Sequence, residues 1–468
     1  MYKSKVINLF YPGLDGSPYY RIPSLARLKN GDLIAAADQR LETESDWGGM
    51  IEPAIRIRTK GKDEFSSIIK PFKQAHTGSK NPTYTIDTCL IPADFENKDK
   101  IYMVLDKFKS NGNYLTAKKG TGYVEVCGEK CPILFYTSQN SLLFEKIDER
   151  YYIKDGSVYT MDHLKTSMTV VMEDRYPFDS LGDIYDKDKY IGNIYSDKSS
   201  YQVHQTSYLW FTYSEDGGRT WQSPKDISMD VADDRMMFLG VSPGRGIQTP
   251  EGRIIVPVYY TTDNDCDIYD LREHAALIYS DDFGKRWKRS KSVNDFNEYK
   301  SLDGYVKTNT SESQLVRLKD GTIILFSRTT SNNILYSYST DNGESFSENL
   351  IETDFKSEAF CMVSVCKYER GNKEYILVAN PKGPGRNNGF IRVMEVGKDK
   401  SLKTIKEKRI NSTNFTYSCI ELISDEGIFG LLYEQRQIAQ GEEKEFIKYT
   451  EFDFDWLMDQ DNKSTFKK

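Results

Sequence analysis

Ser214-Glu215-Asp216-Gly217-Gly218-Arg219-Thr220-Trp221 reads S-x-D-x-G-x-x-W, and the pattern recurs. Ser280-Asp281-Asp282-Phe283-Gly284-Lys285-Arg286-Trp287 repeats it in full. Ser339-Thr340-Asp341-Asn342-Gly343-Glu344-Ser345-Phe346 repeats it with Phe in place of Trp. Each copy follows a strand-like run: YLWFTY, AALIY and ILYSY. The pattern is that of a hairpin turn. The Asp accepts bonds from turn N–H groups, the Gly supplies a positive φ, and the aromatic ring packs back under the turn. These aspartates are turn formers, not catalysts. Ser214 and Ser280 are 66 residues apart, Ser280 and Ser339 are 59 apart, and such a period marks a repeat architecture.

Other short runs agree with an all-β chain. Arg253–Tyr260 (RIIVPVYY), Thr322–Ser327 (TIILFS) and Glu374–Ala379 (EYILVA) are rich in β-branched and aromatic residues. Asn30-Gly31-Asp32, Glu251-Gly252 and Asp320-Gly321 supply turn signals, and no long segment shows a helical period. One stretch, 108–206, breaks the rhythm with clustered Lys, Asp and Tyr and no turn repeat. Without its 99 residues, 369 remain, which six blades would share at about 61 or 62 each. The expected architecture is a six-bladed β-propeller interrupted by a smaller, mainly β domain. The expected divisions are 1–107 and 207–468 for the propeller and 108–206 for the insertion.

Composition excludes several classes. The chain has 468 residues, 63 Lys+Arg against 70 Asp+Glu, and a net charge of −7. A phosphate-binding surface needs the opposite balance, so a nucleic-acid partner is not expected. Mean hydropathy is −0.61, and no apolar run approaches the ~18–20 residues of a membrane span. The 32 Tyr, 23 Phe and 5 Trp suit strands and sugar-binding surfaces. Seven cysteines cannot all pair internally, and Cys127 and Cys131 are followed by no second pair with zinc-ligand spacing. They are read mostly as free and structural. The four histidines, His76, His163, His204 and His274, have no metal-motif spacing. No metal and no cofactor are expected. The start, MYKSKVINLF, lacks a signal-peptide core. The expectation is a catalytic segment of a secreted or cell-surface protein, with an intracellular location left open.

The turn repeats resemble the Asp boxes of sialidases. A second signature of that family, Arg-Ile-Pro, stands in Tyr19-Tyr20-Arg21-Ile22-Pro23. From about Tyr11 to Met458 the chain resembles bacterial exo-sialidases (neuraminidases) of the large clostridial type with an inserted domain. The resemblance implies site residues in order. Carboxylate-binding arginines fall on Arg21, on Arg328 in Phe326-Ser327-Arg328, and on Arg386 in Gly383-Pro384-Gly385-Arg386. Arg40 matches a D-x-R arginine in Asp38-Gln39-Arg40, and the acid/base Asp, six residues on, is Asp46. A buried pocket Asp matches Asp87 in Thr85-Ile86-Asp87-Thr88. The catalytic Glu is Glu312 in Asn309-Thr310-Ser311-Glu312, and the nucleophile is Tyr417 in Phe415-Thr416-Tyr417-Ser418. Leu432-Tyr433-Glu434 follows as in the family. One turn departs from the pattern: the first expected Asp box is degraded to Lys60-Gly61-Lys62-Asp63-Glu64-Phe65.

These residue types suit the chemistry that the resemblance implies. Sialic acid carries a carboxylate on its anomeric carbon. Guanidiniums bind a carboxylate through planar, charge-assisted forks that a lysine cannot offer. A carboxylate nucleophile would meet that anion head-on, whereas a neutral phenol avoids it. Sialidases are a known exception to the two-carboxylate rule for glycosidases for this reason. With a usual pKa of ~10, the phenol needs a base, and Glu312 is expected to be it. Asp46 serves as acid, then base. Its loop, Glu42-Thr43-Glu44-Ser45-Asp46-Trp47, also offers Glu44 as a rival.

The expected activity is that of a retaining exo-α-sialidase, a glycoside hydrolase working through a covalent sialyl-tyrosine on sialylated glycans, as a monomer. Intramolecular trans-sialidation to an anhydro sugar is the alternative enzyme reading. A silent sialic-acid lectin is a third. Intramolecular trans-sialidases carry an aromatic shortly after L-Y-E, and Gln435–Gln440 (QRQIAQ) has none, which favours hydrolysis. The tyrosines of the insertion (Tyr114, Tyr123, Tyr151, Tyr152, Tyr185, Tyr190 and Tyr195) are read mostly as its own core. Tyr123 is the candidate to face the pocket.

Overall fold

The three repeated turns each join the third strand of a sheet to its fourth. In the first, Ser214 Oγ bonds Asp216 Oδ1 at 2.8 Å and accepts the Gly218 N–H at 2.8 Å. Asp216 accepts the N–H groups of Arg219 and Thr220 at 3.0 and 2.9 Å. Trp221 folds back and donates Nε1–H to the Gly218 carbonyl at 3.0 Å. Asp282 and Asp341 hold the other two turns in the same way. The glycine is obligatory: at Gly284, φ is +88° and an added Cβ would lie 2.4 Å from the Phe211 ring. The degraded turn survives by other bonds, with Lys60 N–H donating to Asp32 at 2.8 Å and Phe65 packing edge-on against Tyr449.

The computed structural model describes residues 1–459 apart from 73–79, 94, 96, 138–148, 176–177, 263–271, 295–298, 302–303, 307–308, 331, 359 and 440. Six antiparallel sheets form the blades of a β-propeller. Blade I holds Tyr19–Arg27, Leu33–Arg40 and Ile51–Arg58. Blade II holds Tyr84–Pro92, Ile101–Phe108, Ser207–Ser214 and Lys225–Asp226. Blade III holds Met236–Val241, Ile254–Thr262, Arg272–Ser280 and Lys288–Arg289. Blade IV holds Thr310–Arg317, Ile323–Thr329, Leu335–Ser339 and Ile351–Glu352. Blade V holds Ser364–Arg370, Lys373–Pro381, Gly389–Val396 and Leu402–Arg409. Blade VI holds Ser418–Ser424, Ile428–Ala439 and Glu442–Asp453, and the N-terminal strand Ile7–Phe10 completes it, with Ile7 opposite Tyr449. The ring is therefore closed by its two chain ends.

The first strands of the blades line the axis. Tyr19–Arg27 touches Tyr84–Pro92 and Ser418–Ser424, and Ser364–Arg370 touches Thr310–Arg317 and Ser418–Ser424. Blades stack face to face, so central strands are buried on both sides. Leu33–Arg40, Tyr84–Pro92 and Ile101–Phe108 are buried throughout. Burial on both sides removes the apolar/polar alternation of a half-exposed strand, as in the run IYMVL of Ile101–Phe108, and it buries polar residues such as Asp38, Thr85 and Asp87 as well.

Ile101–Phe108 pairs directly with Ser207–Ser214, Phe108 opposite Ser207. Strands between Tyr123 and Val203 build a separate eight-stranded sheet. One face of it, through Leu134, Ile153, Val158, Ile184 and Val203, shares a core with Leu105 and Trp210 of blade II. Among the described residues no helix is long and apolar enough to cross a membrane. The six described cysteines are free; Cys266 and His76 lie outside the described residues.

Candidate active site

In antiparallel blades, the start of a first strand and the end of a second lie at the same end of the axis. The sequence puts its candidates there. Arg21, Asp87 and Glu312 lie early in the first strands of blades I, II and IV, and Arg40 and Arg328 lie at or near the ends of second strands. Tyr417 immediately precedes the first strand of blade VI. Asp46 and Arg386 sit on connecting loops. A cavity of about 690 Å³ opens at this end, and Arg21, Asp46, Asp87, Glu312, Arg328, Arg386 and Tyr417 all line it.

The backbone is bent to aim these side chains. Strand register shifts between Arg21 and Ser24, between Ile86 and Cys89, between Met236 and Leu239, and between Thr310 and Ser313. Each bulge falls where a cavity residue sits, and a bulge re-aims a side chain. Ile22, Asp87 and Arg386 have φ of 61°, 64° and 56°. For a β-branched residue such as Ile22 that is strained backbone. Glu434, fully buried, holds it: one carboxylate accepts the N–H of Ile22 at 2.7 Å, the N–H of Tyr417 at 3.1 Å and the Thr416 hydroxyl, and pairs with Arg21 at 3.3 Å.

At the centre, the Tyr417 hydroxyl lies 2.6 and 2.7 Å from the two Glu312 oxygens. Arg328 Nη1 donates to Glu312 at 2.6 Å and to the phenol oxygen at 2.9 Å. Burial first, then the Glu312 charge, pushes the phenol well above its usual pKa. The tyrosine is thus neutral at rest, and its oxygen can become nucleophilic as Glu312 takes the proton. The guanidiniums of Arg21 and Arg386 stand 5.5 and 5.7 Å from the centre of the same ring. With Arg328 they can receive one carboxylate.

Asp46 Oδ1 is shared by Arg40 Nη2 at 2.8 Å and Arg21 Nη1 at 3.3 Å. Against the upward push of burial, these two cations hold its pKa below the usual carboxylate value. Arg40, fully buried, lies behind Asp46 and outside the cavity lining. Glu44 does not line the cavity either: its carbonyl accepts from Arg40, and its carboxylate faces Arg436 at 4.0 Å.

The cavity floor is acidic and aromatic. Burial and the charges of neighbouring carboxylates raise the pKa values of Asp87 and Asp106 well above normal; behind them, outside the cavity lining, burial pushes Asp38 up to about 7 despite Arg40. Tyr114 donates to Glu273 at 2.9 Å and packs edge-on against Phe238, and all three line the cavity.

The structure corrects the reading of the insertion's tyrosines. Tyr123 does not line the cavity. Its ring packs into the core shared with blade II, and its hydroxyl bonds Asp226 on that blade's outermost strand. Tyr114, read as insertion core, is the tyrosine that reaches the cavity. Sequence reasoning also missed Glu273, which no motif flags, and gave Glu434 no role, although its place after Leu432-Tyr433 was the available signal.

Comparison with known proteins follows the geometry. Residues 191–425 match the family described as a BNR repeat-like domain, and the chain belongs to that family. Over 97% of its length it is 28% identical to an anhydrosialidase of Macrobdella decora, spanning 63% of that protein. It is 27% identical to a sialidase of Bacteroides fragilis over 50% of its own length and 40% of the relative's. The chain thus spans less than two thirds of either relative. Among solved structures, the intramolecular trans-sialidase of Ruminococcus gnavus superposes with a TM-score of 0.78 at 25% identity, over 97% of this chain and 98% of that one. The leech intramolecular trans-sialidase gives 0.78 at 24%, over 97% and 71%, and shares the fold.

Proposed function

We propose that this chain is a retaining exo-α-sialidase that removes terminal sialic acid from glycoconjugates. The observation that carries the reading is the Tyr417 phenol held by both oxygens of Glu312 beneath three guanidiniums. Arg21, Arg328 and Arg386 take the sugar carboxylate and fix the anomeric carbon near the phenol. Asp46 protonates the leaving oxygen. Tyr417 attacks the anomeric carbon and passes its proton to Glu312, giving a covalent sialyl-tyrosine. Asp46 then deprotonates water, which displaces the tyrosine oxygen with net retention while Glu312 returns its proton to it. In the free site Arg21 and Arg40 keep Asp46 ionised. A substrate carboxylate that engages Arg21 adds a negative charge nearby, which favours the protonated acid that the first step needs.

Support comes from the relatives' names, from the turn repeats and the Arg-Ile-Pro stretch, and from the pocket chemistry. The chain is read as a propeller, 1–107 and 207–468, carrying the insertion 108–206 characteristic of the large clostridial type. The same reading expects work on sialylated glycans outside the cell or at its surface. Intramolecular transfer stands as the second reading, because the Macrobdella relative is named an anhydrosialidase and the Ruminococcus structure an intramolecular trans-sialidase. The absence of an aromatic in Gln435–Ala439, at the end of the strand Ile428–Ala439, favours hydrolysis; Gln440 lies outside the described residues. NMR analysis of products from a sialoside decides. Free sialic acid supports hydrolysis, an anhydro product supports transfer, and no turnover overturns both.

A further inference from the structure

The propeller has another cavity, at the end of its axis opposite the candidate active site. The first strands carry Arg21, Asp87 and Glu312 near their starts. Their far ends, Arg27, Pro92 and Arg317, line this other cavity, which encloses about 670 Å³ and draws residues from all six blades. Arg21 and Arg27 are separated by roughly 20 Å of extended chain, so the two cavities do not merge. Six cations line it, Arg27, Lys29, Arg245, Arg317, Lys319 and Lys367, against three carboxylates, Glu369, Glu421 and Asp425. That leaves a surplus of three positive charges in a chain whose net charge is −7. The carboxylates are already engaged. Glu421 takes Arg245, Asp425 takes Arg27 at 2.7 Å, and Glu369 takes Lys367 at 2.7 Å and Lys319 at 3.4 Å. Arg27 spends one nitrogen on its pair, and Arg317 spends one on Glu251 at 3.5 Å. The other nitrogens of these two guanidiniums meet no acceptor among the described residues. Both side chains are about a quarter exposed, at 24% and 23%, and keep most of a planar fork for a further anion.

We propose that this far cavity binds a sugar carrying two or more anionic groups. The proposal goes beyond the sialidase reading and does not depend on it. The volume suits a small organic ligand, since such sites run to about 300–1,000 Å³. Arg27 stands on blade I, Arg317 on blade IV and Lys367 on blade V, so the cations match charges spread over a ligand rather than one small ion. A neighbouring cavity of about 390 Å³ shares Arg27 and Asp425 with it and adds Lys60 and Lys62, which extends the cationic surface. The three carboxylates suit the rest of the ligand, because they accept hydrogen bonds from sugar hydroxyls. Among the described residues no aromatic ring lines this cavity. Neither a nucleobase nor the flat face of a neutral hexose therefore finds a stacking surface there.

The test is calorimetric titration of the whole chain with fructose 1,6-bisphosphate, glucaric acid, inorganic phosphate and glucose. At least one of the two anionic sugars should bind at a single site per chain, about tenfold or more tighter than phosphate, and glucose should not bind. The tighter of the two shows whether phosphate or carboxylate is the preferred group. Arg27→Gln and Arg317→Gln should each weaken that binding about tenfold, the loss of one hydrogen bond to a charged group. Both should leave kcat/KM on an aryl sialoside unchanged. Lys319 is 73% exposed, so Lys319→Gln spares the fold, and it should weaken binding by a few-fold. Arg386→Lys, in the other cavity, should leave the binding unchanged. Three outcomes overturn the proposal: no saturable binding of either anionic sugar, phosphate binding as tightly as the sugars, or binding lost in Arg386→Lys but kept in Arg317→Gln. Because these readouts are of binding, a chain that turned over no sialoside would sink the sialidase reading and leave this test standing.

Discussion

The phenol oxygen of Tyr417 rests between both carboxylate oxygens of Glu312, 2.6 and 2.7 Å away, although the two residues are 105 apart in sequence. Arg328 closes the triangle and stabilises negative charge on either partner. Removing only the phenol oxygen isolates this relationship. Tyr417→Phe should lower kcat on an aryl sialoside by about 10³-fold or more, as loss of a nucleophile does, while a sialic-acid analogue still binds within a few-fold. Near-normal turnover in the Phe variant would remove Tyr417 from the chemistry.

Arg386 reaches the cavity from a loop of blade V, with Nη2 donating to the Phe360 carbonyl at 2.5 Å. Arg386→Lys keeps the charge but loses the planar fork. Sialic acid should bind about 1.5–3 kcal/mol more weakly, the worth of a hydrogen bond to a charged group. An analogue lacking the carboxylate should bind both forms equally in calorimetric titration. Equal affinity of the two forms for sialic acid itself would contradict the assignment.

Behind Arg21 lie two buried carboxyls of opposite habit. Glu434 is held ionised, despite its burial, by Arg21 and its hydrogen bonds. Glu445 is pushed up to about 7 by burial and by the Glu434 charge, against the pull of Arg21 and Arg436. In the unfolded chain Glu445 returns to ~4.3. Between those values the folded protein binds more protons than the unfolded one, so this group's contribution to stability falls as pH rises through that window. Glu445→Gln should therefore unfold at higher urea than the wild type at pH 8, with the gain largely gone at pH 4. A gain equal at both pH values would show that Glu445 titrates normally.

Asp282 bonds Ser280 and the Arg286 N–H and does not line the cavity. Asp282→Ala should cost about 1–2 kcal/mol of stability by urea unfolding and leave kcat/KM unchanged. A selective loss of activity without loss of stability would give the turn a role beyond the hairpin.

The repeated turns were legible because their chemistry is local: a Ser-Asp pair, a positive-φ glycine and an aromatic within eight residues. The blades followed from them, and the runs at 253–260, 322–327 and 374–379 lie within the observed strands Ile254–Thr262, Ile323–Thr329 and Lys373–Pro381 to within a residue or two. The cavity residues were legible only through motif order, since nothing local to Glu312 announces Tyr417. What escaped was set by tertiary contacts. The left-handed backbone at Ile22 exists because Glu434 captures its N–H from another blade. Glu273 reaches the cavity from the third strand of blade III, and its partner Tyr114 comes from the start of the insertion, a pairing no local pattern announces. Tyr123 opens the strand Tyr123–Val126 and packs into the shared core, whereas Tyr114 sits in the turn on the chain's path out of blade II and lines the cavity.

That path makes the insertion's influence testable without removing it. Deletion of 108–206 would strip the cover from Leu105 and Trp210, so a point change is the cleaner probe. Tyr114→Phe keeps the ring against Phe238 and removes the donor to Glu273. Glu273 is already raised by burial, opposed chiefly by Arg328 and the Tyr114 bond. Without the bond it should protonate more readily. If the insertion tunes which glycan is accepted, the relative kcat/KM for α2,3-, α2,6- and α2,8-linked substrates should change by a few-fold, consistent with one hydrogen bond of about 1 kcal/mol. The same relative rates in wild type and Tyr114→Phe, and again in Tyr114→Ala with a wild-type unfolding midpoint, would leave the insertion a purely structural element.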